Sequence, residues 1–336
     1  MPTCLDLLGL SAPIIQAPMA GAQNHRLAAA VCEAGGLGSL PAAMLSPAAL
    51  ERELQALQQA TQRPYNVNFF CHTPPTPDAS ALAAWRQTLA PYDEALGLAP
   101  ATAAGATRAP FHHEAADVLE AFRPAVVSFH FGLPAPDLLA RVKSWGSLVL
   151  SSATTVEEAI WLEQHGCDAI IAMGIEAGGH RGMFLSDDLN SQIGLMALVP
   201  QIVDAVTVPV IAAGGIGDAR GIVAALALGA SAVQIGTAYL FTPEATITAS
   251  HHHALRHAQA SDVAPVMEAS LGKRTAESAI QVHGAMGYTY EVDLHFWMKR
   301  TWALAGAWGS RAFHIKRVDE AVIGGGLPIG PEHTFA

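Results

Sequence analysis

The sequence is poor in charge: Asp, Glu, Lys and Arg make up only 14% of its 336 residues, the net charge is −11, and nowhere do Lys and Arg form a run. That argues against a surface built to neutralise a polyanion, so nucleic acid is not an expected partner. Apolar residues reach 51%, yet Gly, Pro or charge interrupts every apolar run before the roughly eighteen residues a membrane span needs. The N-terminal stretch MPTCLDLLGLSAP has neither a basic n-region nor a long apolar h-region, so no signal peptide is expected. Cys4, Cys32, Cys71 and Cys167 are scattered without zinc-ligand spacing, and reduced thiols are the expectation. No metal site is expected either. His251, His252 and His253 are adjacent, and adjacent residues on a helix point in different directions, so a solvated helix face is the reading. These absences leave a soluble, cytoplasmic protein that acts on small molecules.

Glycine, by contrast, is plentiful, and its placement is informative. In VPVIAAGGIGDARGIVAALALGASAVQIGTAYL, Val208–Leu240, a short β-branched run ends at Gly214, Gly215 and Gly217. Asp218 then caps a helix stopped by Gly229, and a second buried run, Ala232–Ile235, ends in Gly236 and Thr237. Two parallel strands that stop at glycines leave backbone N–H groups bare at one end of a sheet, where anions bind.

Six further strand candidates precede this unit: Ile14–Ala17, Leu37–Leu40, Tyr65–Phe70, Ala125–Phe129, Leu148–Leu150 and Ala169–Ala172. Helical segments alternate with them, including one from Pro47 to about Thr61 and others at Asp137–Lys143 and Val156–His165. Eight strands alternating with helices over about 240 residues suit a (β/α)8 TIM barrel, with a doubly wound sheet as the alternative. In such a barrel the loops after strands seven and eight commonly hold a phosphate. The expected division is a barrel over residues 1–262, with an insertion at 72–110 carrying a helix near Ser80–Leu89, and a helical C-terminal segment over 263–336.

A barrel of this kind places its chemistry at the strand C-termini. Asn68 ends strand three, where its amide suits the edge of a flavin or a gap in the backbone equally well. His130 follows strand four, and Ser151, Ser152 and Thr154 follow strand five. After strand six comes MGIEAGGHRG, Met173–Gly182, in which His180 stands between glycines as a group able to exchange a proton near neutrality.

The motifs IIQAPMAG, YNVNFFCHTPP, VVSFHFGLP, SSATTVEEA, GIEAGGHRG, VPVIAAGGIGDARG and VQIGTAYL occur in that order. From about residue 10 to 262 the chain resembles the bacterial nitronate monooxygenases, formerly called 2-nitropropane dioxygenases. The resemblance implies FMN at the barrel mouth, with its ring at the Asn68 amide and at backbone around Met19, Gly178 and Gly179. It implies phosphate held by Gly214, Gly215, Gln234, Ile235, Gly236 and Thr237, and His180 as the active-site histidine. It places Met173 at the flavin too, as a departure, since relatives generally carry Gln there and Met offers no amide hydrogen bond to the ring. The implied reaction is oxidation of an alkyl nitronate by O2 to a carbonyl compound and nitrite. Two other readings share these motifs in part: an FMN-dependent enoyl-ACP reductase consuming NAD(P)H, and a non-catalytic flavin binder.

The C-terminal stretch does not follow that family. Met267–Ile323, with SAIQVHGAMGYTYEVDLHFWMKR at its centre, resembles the C-terminal helices of acyl-CoA dehydrogenases without the rest of that fold. It bears an apolar stripe that includes Trp297 and Trp308. Packing on the barrel, or a homo-oligomer formed through these helices, is the expectation.

Overall fold

The computed structural model describes residues 10–74, 76, 78–97, 109–188 and 191–257. The helices expected over 265–323, and with them the division at residue 262 and any subunit contact they make, lie outside the described residues. Eight strands, all parallel, form one sheet in the order β1-β8-β7-β6-β5-β4-β3-β2. They are β1 (Ile14–Gln16), β2 (Ser39–Pro41), β3 (Asn66–Phe70), β4 (Val126–His130), β5 (Leu148–Ala153), β6 (Ala169–Met173), β7 (Val210–Ala213) and β8 (Ala232–Ile235). Between them run α1 (His25–Glu33), α2 (Pro47–Ala60), α3 (Ala79–Leu96), α4 (His113–Phe122), α5 (Pro136–Ser144), α6 (Val156–Gln164), α7 (Leu195–Ala205) and α8 (Ala219–Ala227), with α9 (Ala249–His257) after the last strand. This is the (β/α)8 TIM barrel.

Side-chain alternation sorts the strands into two cores. Ile15, Leu37, Val126, Leu150, Ala169, Ile171, Ile211, Ala213 and Ala232 fill the barrel interior. The alternate residues, among them Val67, Phe69, Val127, Phe129, Val149, Ile170 and Val233, meet the helices outside. Above the apolar floor the interior becomes polar. Asn66 donates to the hydroxyls of Ser39 and Ser128 at 3.0 and 2.9 Å, and Asn68 donates to the Ser128 hydroxyl at 2.9 Å.

The two edges of the sheet meet between β1 and β2, through one isolated bridge between Ile15 and Leu37. Beyond it the strands part, and side-chain amides take over. Gln16, fully buried, accepts from the Ser39 backbone N–H at 3.0 Å and donates to Ala17 O and to Gln23 Oε1. Gln23 in turn donates to Ser39 O and accepts from Met19 N.

Helix boundaries follow their caps. Ser46, Thr155 and Asp218 each accept a hydrogen bond from an N–H in the first turn of α2, α6 and α8. The helix expected near Ser80–Leu89 extends to Leu96 past Pro91, because Asp78 caps its start and Gly97 ends it in the left-handed conformation. Two helices, α4 and α7, are not expected from the sequence; both lack a side-chain N-cap bond, and α7 carries Pro200 in its interior. The His251–His253 triplet lies on α9, which buries none of its residues.

Gln16→Leu keeps the volume of the seam and removes its hydrogen bonds. It leaves the Ser39 N–H without its partner, at a cost of about 1–3 kcal/mol, while the Gln23 carbonyl oxygen keeps only the Met19 N–H. A lowered urea midpoint with an unchanged m-value is the expected result.

Candidate active site

One cavity of about 1020 Å³ opens at the C-terminal rim of the barrel, at the upper end of the roughly 300–1,000 Å³ usual for ligand sites. Of the residues singled out for the site, all but Ser151 and Thr154 line it. Met19 follows β1, Asn68 closes β3, and Met173, Gly178, Gly179 and His180 follow or end β6. Gly214 and Gly215 follow β7, and Gln234, Ile235, Gly236 and Thr237 end or follow β8. Thr154 does not line it; its hydroxyl is turned to Glu158 and Gln192 beneath the rim.

At one end of the cavity the two glycine turns lie side by side, because β7 and β8 are neighbours with Ala213 opposite Gln234. Gly214 and Gly215 have φ of +127° and +65°, a conformation that L side chains rarely adopt. A Cβ on Gly214 would stand 2.9 Å from the Ala177 backbone nitrogen. The amides of Gly215, Ile216 and Thr237 donate to no backbone carbonyl among the described residues. All three residues line the cavity, beside the N-terminus of α8, where free amides suit an anion. Gln234 adds an amide whose Oε1 is buried without a partner among the described residues. A buried amide left so is costly unless a bound molecule satisfies it.

At the other end stands a histidine pair. His130 Nε2 lies 3.0 Å from the carbonyl oxygen of His180, which can only accept, so Nε2 carries the proton. Nδ1 of the neutral ring then accepts from the Ser152 hydroxyl at 2.7 Å. Burial lowers the His130 pKa to about 4, with the His180 carbonyl opposing that shift and the charges of His180 and Arg181 adding to it. His130 is therefore neutral through the physiological range and holds its one proton on a carbonyl. His180 is exposed at the mouth, with its ring 5.5 Å from that of Phe70.

The loop from β6 to α7 is held over the rim by anchors from several directions. Arg181 donates to Ile175 O at 2.8 Å and Gly174 O at 3.0 Å. Glu176 accepts from Leu195 N at 2.9 Å, standing in for the side-chain cap that Gly194 does not supply. Burial pushes the Glu176 carboxyl up, against the pull of these hydrogen bonds and of Arg181. Glu158, 1% exposed, accepts from Thr154 N and Oγ1 with one oxygen and from Phe184 N and Leu185 N with the other. Gly182 completes the closure, since a Cβ there would meet His130 Cε1 at 2.6 Å and Ser152 Oγ at 2.7 Å.

The pairing of His130 with Ser152 and the anchoring by Glu158, Glu176 and Arg181 were not drawn from the sequence. A signal for the pair was present: both residues lie at the C-terminal ends of neighbouring strands and share the inward parity. The anchors had none, because Glu158 reaches residues 26 and 27 positions further along the chain.

Comparison with known proteins adds to this geometry. A family model described as nitronate monooxygenase matches residues 2–280. The chain is 45% identical over 254 residues to a nitronate monooxygenase of Paraburkholderia phytofirmans, covering 75% of this chain and 69% of that protein. It is 44% identical over 263 residues to one of Pseudomonas aeruginosa, covering 77% and 74%. The solved structure of nitroalkane oxidase from Streptomyces ansochromogenes is similar with a TM-score of 0.65 at 40% identity, covering 74% of this chain and 71% of that one.

The buried His130 makes stability depend on pH. Its folded pKa, about 4, lies below the unfolded value near 6.5, so the unfolded chain binds the extra proton first. Its contribution is full above about pH 6.5, falls by about 2–3 kcal/mol as pH drops towards 4, and changes no further below. Urea unfolding of the native chain and of His130→Gln at several pH values checks this: the difference between the two stabilities is expected to shrink across that window.

Proposed function

Since the chain belongs to the nitronate monooxygenase family, we propose that it is an FMN-dependent oxidoreductase that uses O2 to convert alkyl nitronates to carbonyl compounds and nitrite. The observation that carries this reading is the division of one cavity into an anion-binding end and a histidine end, with the glycine turns of β7 and β8 at the first and His180 at the second.

The residues present suit FMN. Amides of the turns at Gly214–Gly215 and Gly236–Thr237 would hold its terminal phosphate, with Gln234 and Ile235 alongside. The unpartnered amide oxygen of Gln234 needs a donor, and the hydroxyls of a ribityl chain or the N–H of the ring supply one. Asn68 and the backbone at Met19, Gly178 and Gly179 would border the ring. Met173, 6% exposed, offers an apolar contact where relatives offer an amide, so this chain is expected to hold the ring with one hydrogen bond fewer. FMN, when bound, supplies the electron acceptor for the nitronate and passes the electrons on to O2.

The chain's own contribution to the chemistry is the placing of protons and substrate. His180 presents its imidazole at the mouth, where it can exchange a proton with substrate. His130 cannot serve as that base, since its Nδ1 is occupied by Ser152 and its proton by the His180 carbonyl. It ties the His180 backbone to β4 and β5.

Oxygen uptake and nitrite release with propionate 3-nitronate, run beside NAD(P)H oxidation with an enoyl thioester, test the proposal against its nearest competitor. Uptake with the nitronate and no NAD(P)H oxidation is expected, together with release of FMN on denaturation. Stoichiometric FAD, or thioester-dependent NAD(P)H oxidation alone, would sink it. His180→Ala is expected to retain FMN while losing about 10²-fold or more in turnover where proton transfer limits the rate.

A further inference from the structure

Among the described residues only two non-glycine residues have positive φ: Arg123 at +44° and Phe131 at +68°. Arg123 is the C-cap of α4, where the left-handed conformation is an ordinary way to end a helix. Phe131 has no such excuse. It follows β4 directly, and a bulky side chain in this conformation is a backbone outlier that persists only where its surroundings over-determine it.

The surroundings here do so. His130, just before it, is fixed by Ser152, by the His180 carbonyl and by the Cys71 N–H, which donates to His130 O at 2.8 Å. Gly132, just after it, has φ of +86° and accepts at its carbonyl from the Ser151 hydroxyl at 2.8 Å. The alternation of β4 explains what the unusual turn achieves. Val126, Ser128 and His130 share one side of the strand, whereas Val127 and Phe129 pack outward against the helices. Continued as a strand, residue 131 would point outward too. The left-handed turn brings its ring back beside His130, 4.5 Å away, and against two residues that line the cavity, Phe70 at 5.3 Å and 85° and His180 at 6.0 Å and 84°.

His180 depends on such contacts. It stands between Gly178–Gly179 and Gly182, and a Cβ at either of the first two would touch nothing within 4 Å. Among the described residues the orientation of its imidazole rests on two edge-to-face contacts, with Phe70 and Phe131.

We propose that Phe131 is a positioning residue for His180: its strained backbone is retained because it turns an aromatic ring against the imidazole and fixes the angle that ring presents to the cavity. The kinetic part of this proposal rests on the function proposed above; the spectroscopic part does not.

Histidine labelled with ¹³C at Cε1 gives a His180 resonance that is identified by its loss in His180→Ala. Ring currents from Phe131 act on it, so it moves in Phe131→Leu and keeps its place in Phe131→Tyr. With a nitronate substrate, Phe131→Leu lowers kcat about tenfold and changes KM less than about twofold, as expected for a loss of orientation at the reacting group. In the His180→Ala background the same substitution has no further effect on kcat. A resonance that stays put in Phe131→Leu, or moves equally in Phe131→Tyr, overturns the proposal. So does an equal loss of kcat with and without the His180 imidazole, which is the mark of a merely structural role. If the resonance moves as expected but no nitronate is oxidised, the positioning stands and the functional reading falls.

Discussion

Everything at the active rim depends on how the barrel is closed. Seven of the eight strand junctions are backbone ladders. At the eighth an isolated bridge replaces the ladder, with Leu37 donating to Ile14 O and accepting from Gln16 N, and the paired amides of Gln16 and Gln23 carry the connection up to the mouth. Gln23 also accepts from the Met19 N–H, so the network that seals the seam fixes one wall of the cavity. Such a buried network stabilises only if every member is satisfied, which ties the geometry of the site to the integrity of the seam.

Given a closed barrel, the cavity follows from parity. Inward residues of the lower layers are apolar, those of the middle are Asn66, Asn68 and Ser128, and those at the rim include His130, Ser152, Met173 and Gln234. An apolar floor excludes water from below. The polar middle holds Asn68 through Ser128, and the rim carries groups able to meet a ligand. The loop that bears His180 is then drawn back over this surface by hydrogen bonds to two carboxylates, the buried Glu158 and the half-buried Glu176, and by Arg181. A loop closed mainly by such bonds to fixed elements carries a side chain without burying it, and His180 stays exposed.

The barrel and the lining of its cavity were legible in the sequence for local reasons. Short β-branched runs ending in glycine mark parallel strands, and parallel strands in a barrel send all their C-termini to one rim. Hence the residues implied around a flavin, from Met19 to Thr237, border one cavity, while Ser151 and Thr154 do not. Boundaries drifted where local signals conflicted: Leu37 reads as strand but makes only an isolated bridge, and β2 is Ser39–Pro41. Helix α7 was missed because Gly194 gives no cap and Pro200 lies inside it, while its actual cap, Glu176, is 19 residues away.

By itself, then, the sequence determined the fold class, the glycine turns, the family motifs and the identity of the residues at the rim, because each is encoded within a few neighbouring positions. Only the tertiary structure decided which ring nitrogen of His130 holds a proton, which carboxylates hold the His180 loop, and that Phe131 turns back from the outer face towards His180. These are contacts between residues tens of positions apart. Their geometry is set by strand register and by competition among buried polar groups for a limited number of partners, and no local pattern records the result.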